Sequence, residues 1–319
     1  MLAAYANTVS SDDPLSALAV GELPDPEVPD GWTTVDVVAS SLNRHDLWSL
    51  AGVGLPKDRT PMILGCDGVA IRRGHPHLIY PVIADASLPD ETLDPGRTLL
   101  SELHPGTFAE KIAIPARNLL AAPEGWSAHE AACMPTAWLT AWRMLTTRGR
   151  LEPGGSVLVQ GAGGGVATAA VRLAATMGAR VYVTSRDEAK RERVAGLGAT
   201  ALPAGARLPE RVDVVIETVG SATFDHSLKS ARPGARIVVS GATAGHEAPV
   251  DLRRVFFLQL EIIGSTMGTR DELAELLIFC SEHDLRPVID RVYPLREAKK
   301  ALAHLADGDI FGKIVLDHS

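Results

Sequence analysis

A chain of 319 residues with 46% hydrophobic and 22% charged residues has room for two domains, each with a buried core. Its net charge of −8 excludes a general nucleic-acid binder, which needs a clustered basic surface to neutralise phosphates. Three cysteines (Cys66, Cys133 and Cys280) are too few for a disulfide framework and match no zinc-finger spacing, so reduced thiols are expected.

From the start of the chain, the first basic residue is Arg44, and Asp12, Asp13 and Pro14 interrupt the opening stretch. That pattern lacks the charged and apolar regions of a secretory signal. No apolar run is long enough for a bilayer, since even the most apolar helical stretch is broken by Arg172. The expectation is a cytoplasmic protein with no membrane partner. The first third reads as irregular and β-rich, with short apolar runs at Val35–Ala39, Leu78–Val82 and Lys111–Ile114 between Pro, Gly and Asp clusters. His75-Pro76-His77 sits beside a glycine and reads as a solvated loop rather than a metal site.

From about Leu151 strands and helices alternate. Ser156–Gln160 predicts a strand, followed by a glycine-rich turn. A helix comes next, with Val166, Ala169, Ala170, Leu173, Ala174 and Met177 on one face. Further strands are predicted at Arg180–Thr184, Val212–Glu217, Arg236–Ser240 and Leu260–Gly264, with a charged helix at Asp187–Leu197. This alternation predicts an α/β fold with a doubly wound parallel sheet. After Thr269 come a helix, a strand near Val292, a helix ending at Gly308, and a last strand at Lys313–Leu316.

The glycine turn carries the first chemistry. Gly161, Gly163, Gly164 and Gly165, with Val166 after them, stand between a strand and an amphipathic helix. Glycines there let the backbone approach a pyrophosphate, and the helix N-terminus offers unpaired N–H groups. Ala167 stands where a third glycine of the dinucleotide fingerprint is usual, and alanine still permits close packing. An NAD site places Asp or Glu at the end of the second strand, about 20 residues past the glycines, to bind the ribose 2′-OH. Here Thr184-Ser185-Arg186 occupies that point, with Lys190 one helical turn on. A hydroxyl and a guanidinium suit a 2′-phosphate that a carboxylate would repel, so the expected cofactor is NADPH.

Seven segments in order then resemble the medium-chain dehydrogenase/reductases, and within them the quinone oxidoreductase-like branch. They are Asn43-Arg44-His45-Asp46-Leu47, Gly65-Cys66-Asp67-Gly68, Gly106-Thr107-Phe108-Ala109-Glu110, Leu139-Thr140-Ala141-Trp142, the glycine turn, Gly264-Ser265-Thr266-Met267-Gly268, and Phe311-Gly312-Lys313-Ile314-Val315. The resemblance implies a Rossmann domain at 126–268 inserted in a β-rich, GroES-like catalytic domain formed by 1–125 and 269–319, with nicotinamide and substrate in a cleft between them. It implies further that Thr140 lies near the nicotinamide ribose and phosphates, and that Gly241, Ser265, Thr266 and Met267 hold the carboxamide. A homodimer joined through the Leu260–Gly264 edge strand is also implied, since such an edge needs covering.

Zinc alcohol dehydrogenases carry Cys, His and Cys where Asn43, Cys66 and Thr136 stand here. Asn and Thr are poor zinc ligands, and the family's four-cysteine structural lobe is missing, so a zinc-free site is expected. The segment from Ile71 to Pro105 departs from the family pattern. The activity implied is hydride transfer from NADPH to a quinone or activated enone, with Asn43 beside the substrate carbonyl and His45 and Asp46 as candidate catalytic groups. Trp48 stands where related enone reductases have a tyrosine, and its indole cannot serve as an acid. Two rival readings are an NADP-dependent alcohol or aldehyde dehydrogenase, and an NADPH-binding redox sensor without turnover.

Overall fold

Ser156-Val157-Leu158-Val159-Gln160 is apolar without alternation, and all five residues are buried. A strand covered on both faces belongs in a parallel sheet between helices. The computed structural model describes residues 1–319 and divides them into two units. One comprises Met1–Thr136 with Thr269–Ser319, and the other Ala137–Gly268.

The Ala137–Gly268 unit holds a six-stranded parallel sheet. Its spatial order is Thr200–Pro203, Arg180–Ser185, Ser156–Gln160, Val212–Glu217, Ala231–Val239 and Glu261–Gly264. Counted along the chain, the strand order reverses beside Ser156–Gln160, which is the switch point at which doubly wound sheets bind dinucleotides. The helix Gly165–Thr176 buries Ala167, Ala169, Ala170, Val171, Leu173 and Ala174. Its alanines let it lie close to the sheet, and they are good helix formers. The strand at Thr200–Pro203 has no counterpart in the sequence expectation. It is a short, half-exposed edge strand ending in proline, and such strands leave little pattern. The strand expected at Arg236–Ser240 starts earlier, at Ala231, through a register irregularity opposite Val212 and Val214.

In the other unit, the long strand Trp32–Ser41 organises a seven-stranded sheet. Asp67–Arg72 pairs along one of its edges, while Lys111–Pro115 and the C-terminal strand Lys313–Asp317 share the other. The strand Lys313–Asp317 is therefore a structural member of the same sheet as Trp32–Ser41, with Ala39 paired to Asp317 and Ser41 to Val315. Asp67–Arg72 and His75–Ile79 form a hairpin closed by Arg73 and Gly74, both at positive φ, the two-residue turn that matches strand twist. His75-Pro76-His77 is thus the exposed start of a strand and not the loop expected from sequence.

The division at Thr136/Ala137 lies eleven residues beyond the expected 125/126. The short helix Ala128–Ala132 packs on strands of the first unit, and the Ser41 hydroxyl donates to Ala132 O at 3.0 Å, which ties it there.

Candidate active site

Two turns set up the polar centre of the first unit. Gly65 has φ +97°, and a Cβ there would overlap the Phe108 ring, so the turn that delivers Cys66 and Asp67 needs glycine. At the end of Trp32–Ser41 the chain turns into the helix Arg44–Leu50, capped by Asp46, whose Oδ2 accepts the Asn43 N–H at 2.7 Å. Asp46 is fully buried, its Oδ1 has no partner, and burial pushes its pKa up to about 6. The carboxyl expected among the catalytic groups therefore serves the helix start.

Lys313 brings a cation into this centre. Its ammonium, only 3% exposed, donates to Leu42 O at 2.7 Å, Asn43 Oδ1 at 2.6 Å and Asp67 Oδ2 at 3.0 Å. Asp67 Oδ2 also accepts from Ser41 Oγ and Asn43 Nδ2, each at 2.8 Å. These bonds fix the Asn43 amide with its oxygen toward Lys313. One Nδ2 hydrogen is spent on Asp67 and the other remains for a second acceptor.

His45 lies between two partners. Its Nε2 meets Glu102 Oε1 at 3.0 Å and its Nδ1 meets Cys66 Sγ at 3.4 Å. Glu102 Oε2 is held by Leu99 N at 3.0 Å and Thr98 Oγ1 at 3.2 Å. Cys66 also donates to Leu100 O at 3.2 Å, so it is hydrogen-bonded rather than a small apolar filler. Thiol and imidazole titrate as a pair. Burial pushes the Cys66 thiol up, although His45 pulls against it. Burial alone would depress His45, but Cys66, then Glu102, hold its charged form well above the ordinary imidazole range. A proton lost by the sulfur thus comes to rest on the ring. Trp48, where related enone reductases have tyrosine, is 40% exposed. Thr136 Oγ1 is buried without a partner.

The thirteen residues expected at the cofactor all lie in the Ala137–Gly268 unit. Gly161 turns at φ +85° and its N–H is held by Thr184 O at 3.0 Å. Gly164 caps the helix Gly165–Thr176 with no side-chain hydrogen bond, so the first-turn N–H groups face outward unpaired by any cap. A Cβ at Gly164 would meet open space, the room that a pyrophosphate needs. Gly163, Gly165 and Val166 are half-buried around this turn.

At the end of the second strand, Ser185 Oγ accepts from Asp187 N at 3.2 Å. Arg186 is exposed and its guanidinium has no partner. Of the two acidic residues that follow, Asp187 is committed to the next helix, where its Oδ1 accepts from Lys190 N at 3.0 Å, and Glu188 lies in that helix's first turn. Thr140 is buried at 5% exposure in the helix Leu139–Arg143. Gly241 lies against Thr218, where a Cβ would press on the Thr218 carbonyl. Beyond the last strand, Ser265 Oγ is buried without a partner, Thr266 is exposed, and Met267 is held at φ +50°. A buried methionine in the left-handed region is strained, and such strain marks ligand sites more often than ordinary loops. The turn, the open helix end, the exposed guanidinium and the orphaned hydroxyl together fit a nicotinamide dinucleotide.

Comparison with known proteins adds a family. The zinc-binding dehydrogenase family model matches residues 165–282. An acryloyl-coenzyme A reductase of Metallosphaera sedula is 30% identical over 319 aligned residues, covering 93% of this chain and 95% of that protein. The crystal structure of an NAD-dependent alcohol dehydrogenase covers 100% of both chains at 32% identity with a TM-score of 0.92. A cobalt- and zinc-bound thermostable alcohol dehydrogenase from Pyrobaculum aerophilum covers 99% of each chain at 28% identity, with a TM-score of 0.89.

Proposed function

The chain belongs to the medium-chain dehydrogenase/reductase superfamily of NAD(P)-dependent oxidoreductases, and we propose that it reduces a quinone or activated enone with NADPH and without a catalytic zinc. The observation that carries this reading is the Lys313 ammonium, 2.6 Å from Asn43 Oδ1 and 3.0 Å from Asp67. A divalent cation beside a buried ammonium meets strong repulsion at low dielectric. Asn43 and Thr136, moreover, are poor ligands. Without a Lewis acid, the substrate must already be electrophilic. Quinones and alkenes conjugated to a carbonyl are, and the acryloyl group in the name of the Metallosphaera relative is such an alkene.

When bound, NADPH supplies the hydride. Asn43, its amide oriented by Lys313 and Asp67, offers its remaining N–H to the substrate oxygen on which charge develops. Arg186 and Ser185 take the 2′-phosphate, with Lys190 adding positive charge beside them, and the Gly164-capped helix takes the pyrophosphate. Both ring nitrogens of His45 are engaged. Solvent is therefore the simplest proton source, and a hydroquinone oxygen accepts such a proton readily. Steady NADPH oxidation is expected with quinones and strongly activated enones, and slower turnover with simple enones. No turnover across that panel would mean a protein that binds NADPH without catalysis. Sustained oxidation of primary alcohols with NADP would mean an alcohol dehydrogenase.

We also propose a homodimer. The strand Glu261–Gly264 lies at the edge of its sheet with Ile262 exposed, and the helix before it exposes Leu252 at 70%, Phe256 at 61% and Phe257 at 75%. An apolar edge of this kind invites pairing with a second copy. Sedimentation at micromolar concentration is expected to give a dimer, and Phe257→Asp to weaken it. A wild-type monomer would contradict the pairing.

A further inference from the structure

Cys66, His45 and Glu102 are arranged as nucleophile, base and orienting carboxylate. Glu102, an acceptor held by Leu99 N and Thr98 Oγ1, faces His45 Nε2 at 3.0 Å and so places the ring's proton on Nε2. In the neutral ring that leaves the Nδ1 lone pair facing Cys66 Sγ, 3.4 Å away. Leu100 O, 3.2 Å from the sulfur, competes with Nδ1 for the single S–H, and the proton reaches the ring when the thiol turns from the carbonyl to Nδ1. His45 and Glu102 are 16% and 21% exposed, so the relay reaches the surface although the sulfur is only 1% exposed.

Cys133 and Cys280 make the comparison internal. Neither forms a disulfide, and both are fully buried, like Cys66. Cys133 donates to His129 O, a backbone carbonyl and not a base, and burial raises its pKa to about 12. Burial does not distinguish Cys66 from Cys133, and the His45 ring beside Cys66 does.

We propose that His45 and Glu102 make Cys66 a nucleophile toward small electrophilic alkenes, so that activated double bonds also bond covalently to its sulfur. The class of alkene rests on the reductase reading above, whereas the reactivity of the thiol does not. In the step, the Sγ proton passes to His45 Nδ1 as sulfur bonds the β-carbon. The alkene π pair moves toward the carbonyl as an enolate. The imidazolium then returns its proton to the α-carbon. The net change is addition of S–H across C=C, with no oxidation or reduction.

The test uses the purified full-length chain with limiting iodoacetamide, and separately with methyl vinyl ketone. The adducts are located by peptide mass spectrometry. Cys66 is expected to be modified at least roughly tenfold faster than Cys133 and Cys280 by both probes, a threshold set below the roughly 10²–10⁴-fold that a positioned base contributes. His45→Gln and Glu102→Gln are expected to slow Cys66 alone, and Cys66→Ser to abolish the fast phase. Equal rates for the three cysteines in the wild-type chain would overturn the proposal, as would fast labelling of Cys66 that both variants leave unchanged. The wild-type comparison needs no variant to fold. Because the readout is adduct mass, a protein that fails to oxidise NADPH still tests it.

Discussion

Replacing Lys313 with methionine is expected to destabilise the first unit by about 3–5 kcal/mol, the cost of leaving one partner of a buried ion pair uncompensated. Lys313 and Asp67 are 3% and 0% exposed, and the ammonium satisfies three acceptors at once. Methionine matches the stem but cannot neutralise Asp67, whose Oδ1 already lacks a partner. Asp67→Asn in the same chain removes the stranded charge, so the double variant is expected to recover much of the loss. Denaturant unfolding at neutral pH measures both. A single variant within about 1 kcal/mol of wild type would place the pair in the weak, solvent-screened class. That outcome would also undercut the argument that a cation already occupies the polar centre.

Arg186→Ala is expected to weaken NADPH binding roughly tenfold or more, since a charged hydrogen bond to phosphate contributes about 1.5–3 kcal/mol. NADH should bind as before, because it has no 2′-phosphate. The neighbours favour a clean result. Asp187 is spent on its helix start and does not reach for a ribose hydroxyl, and the Arg186 guanidinium has no protein partner to lose. Isothermal titration with both cofactors gives the ratio directly. An equal loss for NADPH and NADH would mean that Arg186 supports local structure instead of the phosphate.

The parallel strands were legible because burial on both faces writes itself as unbroken apolar runs, and Ser156–Gln160 and Val212–Glu217 fall where they were expected. The glycine turn was legible because its backbone needs leave few choices of residue. Thr200–Pro203 was not, since a half-exposed edge strand needs no apolar pattern. The polar centre was only half visible. Asn43, Cys66 and Asp67 stand in recognisable segments, but Lys313 is 246 residues from Asp67, and only the pairing of the last strand with Trp32–Ser41 brings them together. A lysine opening a strand of Ile, Val and Leu was the available signal, because a buried ammonium requires an anion. Glu102 left no signal at all. It sits in the stretch without motif or periodicity, and its role comes from the backbone turn that aims it at His45. Nothing beside Cys66 in the sequence marks its thiol for reactivity, since the ring that contacts it is supplied by a separate helix.

We propose that this protein reduces activated double bonds with NADPH and without a metal, an activity open to direct measurement. Its most direct test measures zinc per chain and NADPH oxidation on one chelator-treated sample, with a quinone, an enone and the corresponding saturated ketone as acceptors. Far less than one zinc per chain is expected, with turnover of the quinone and the activated enone and none of the saturated ketone. Stoichiometric zinc, with activity that chelation abolishes and zinc restores, would contradict it.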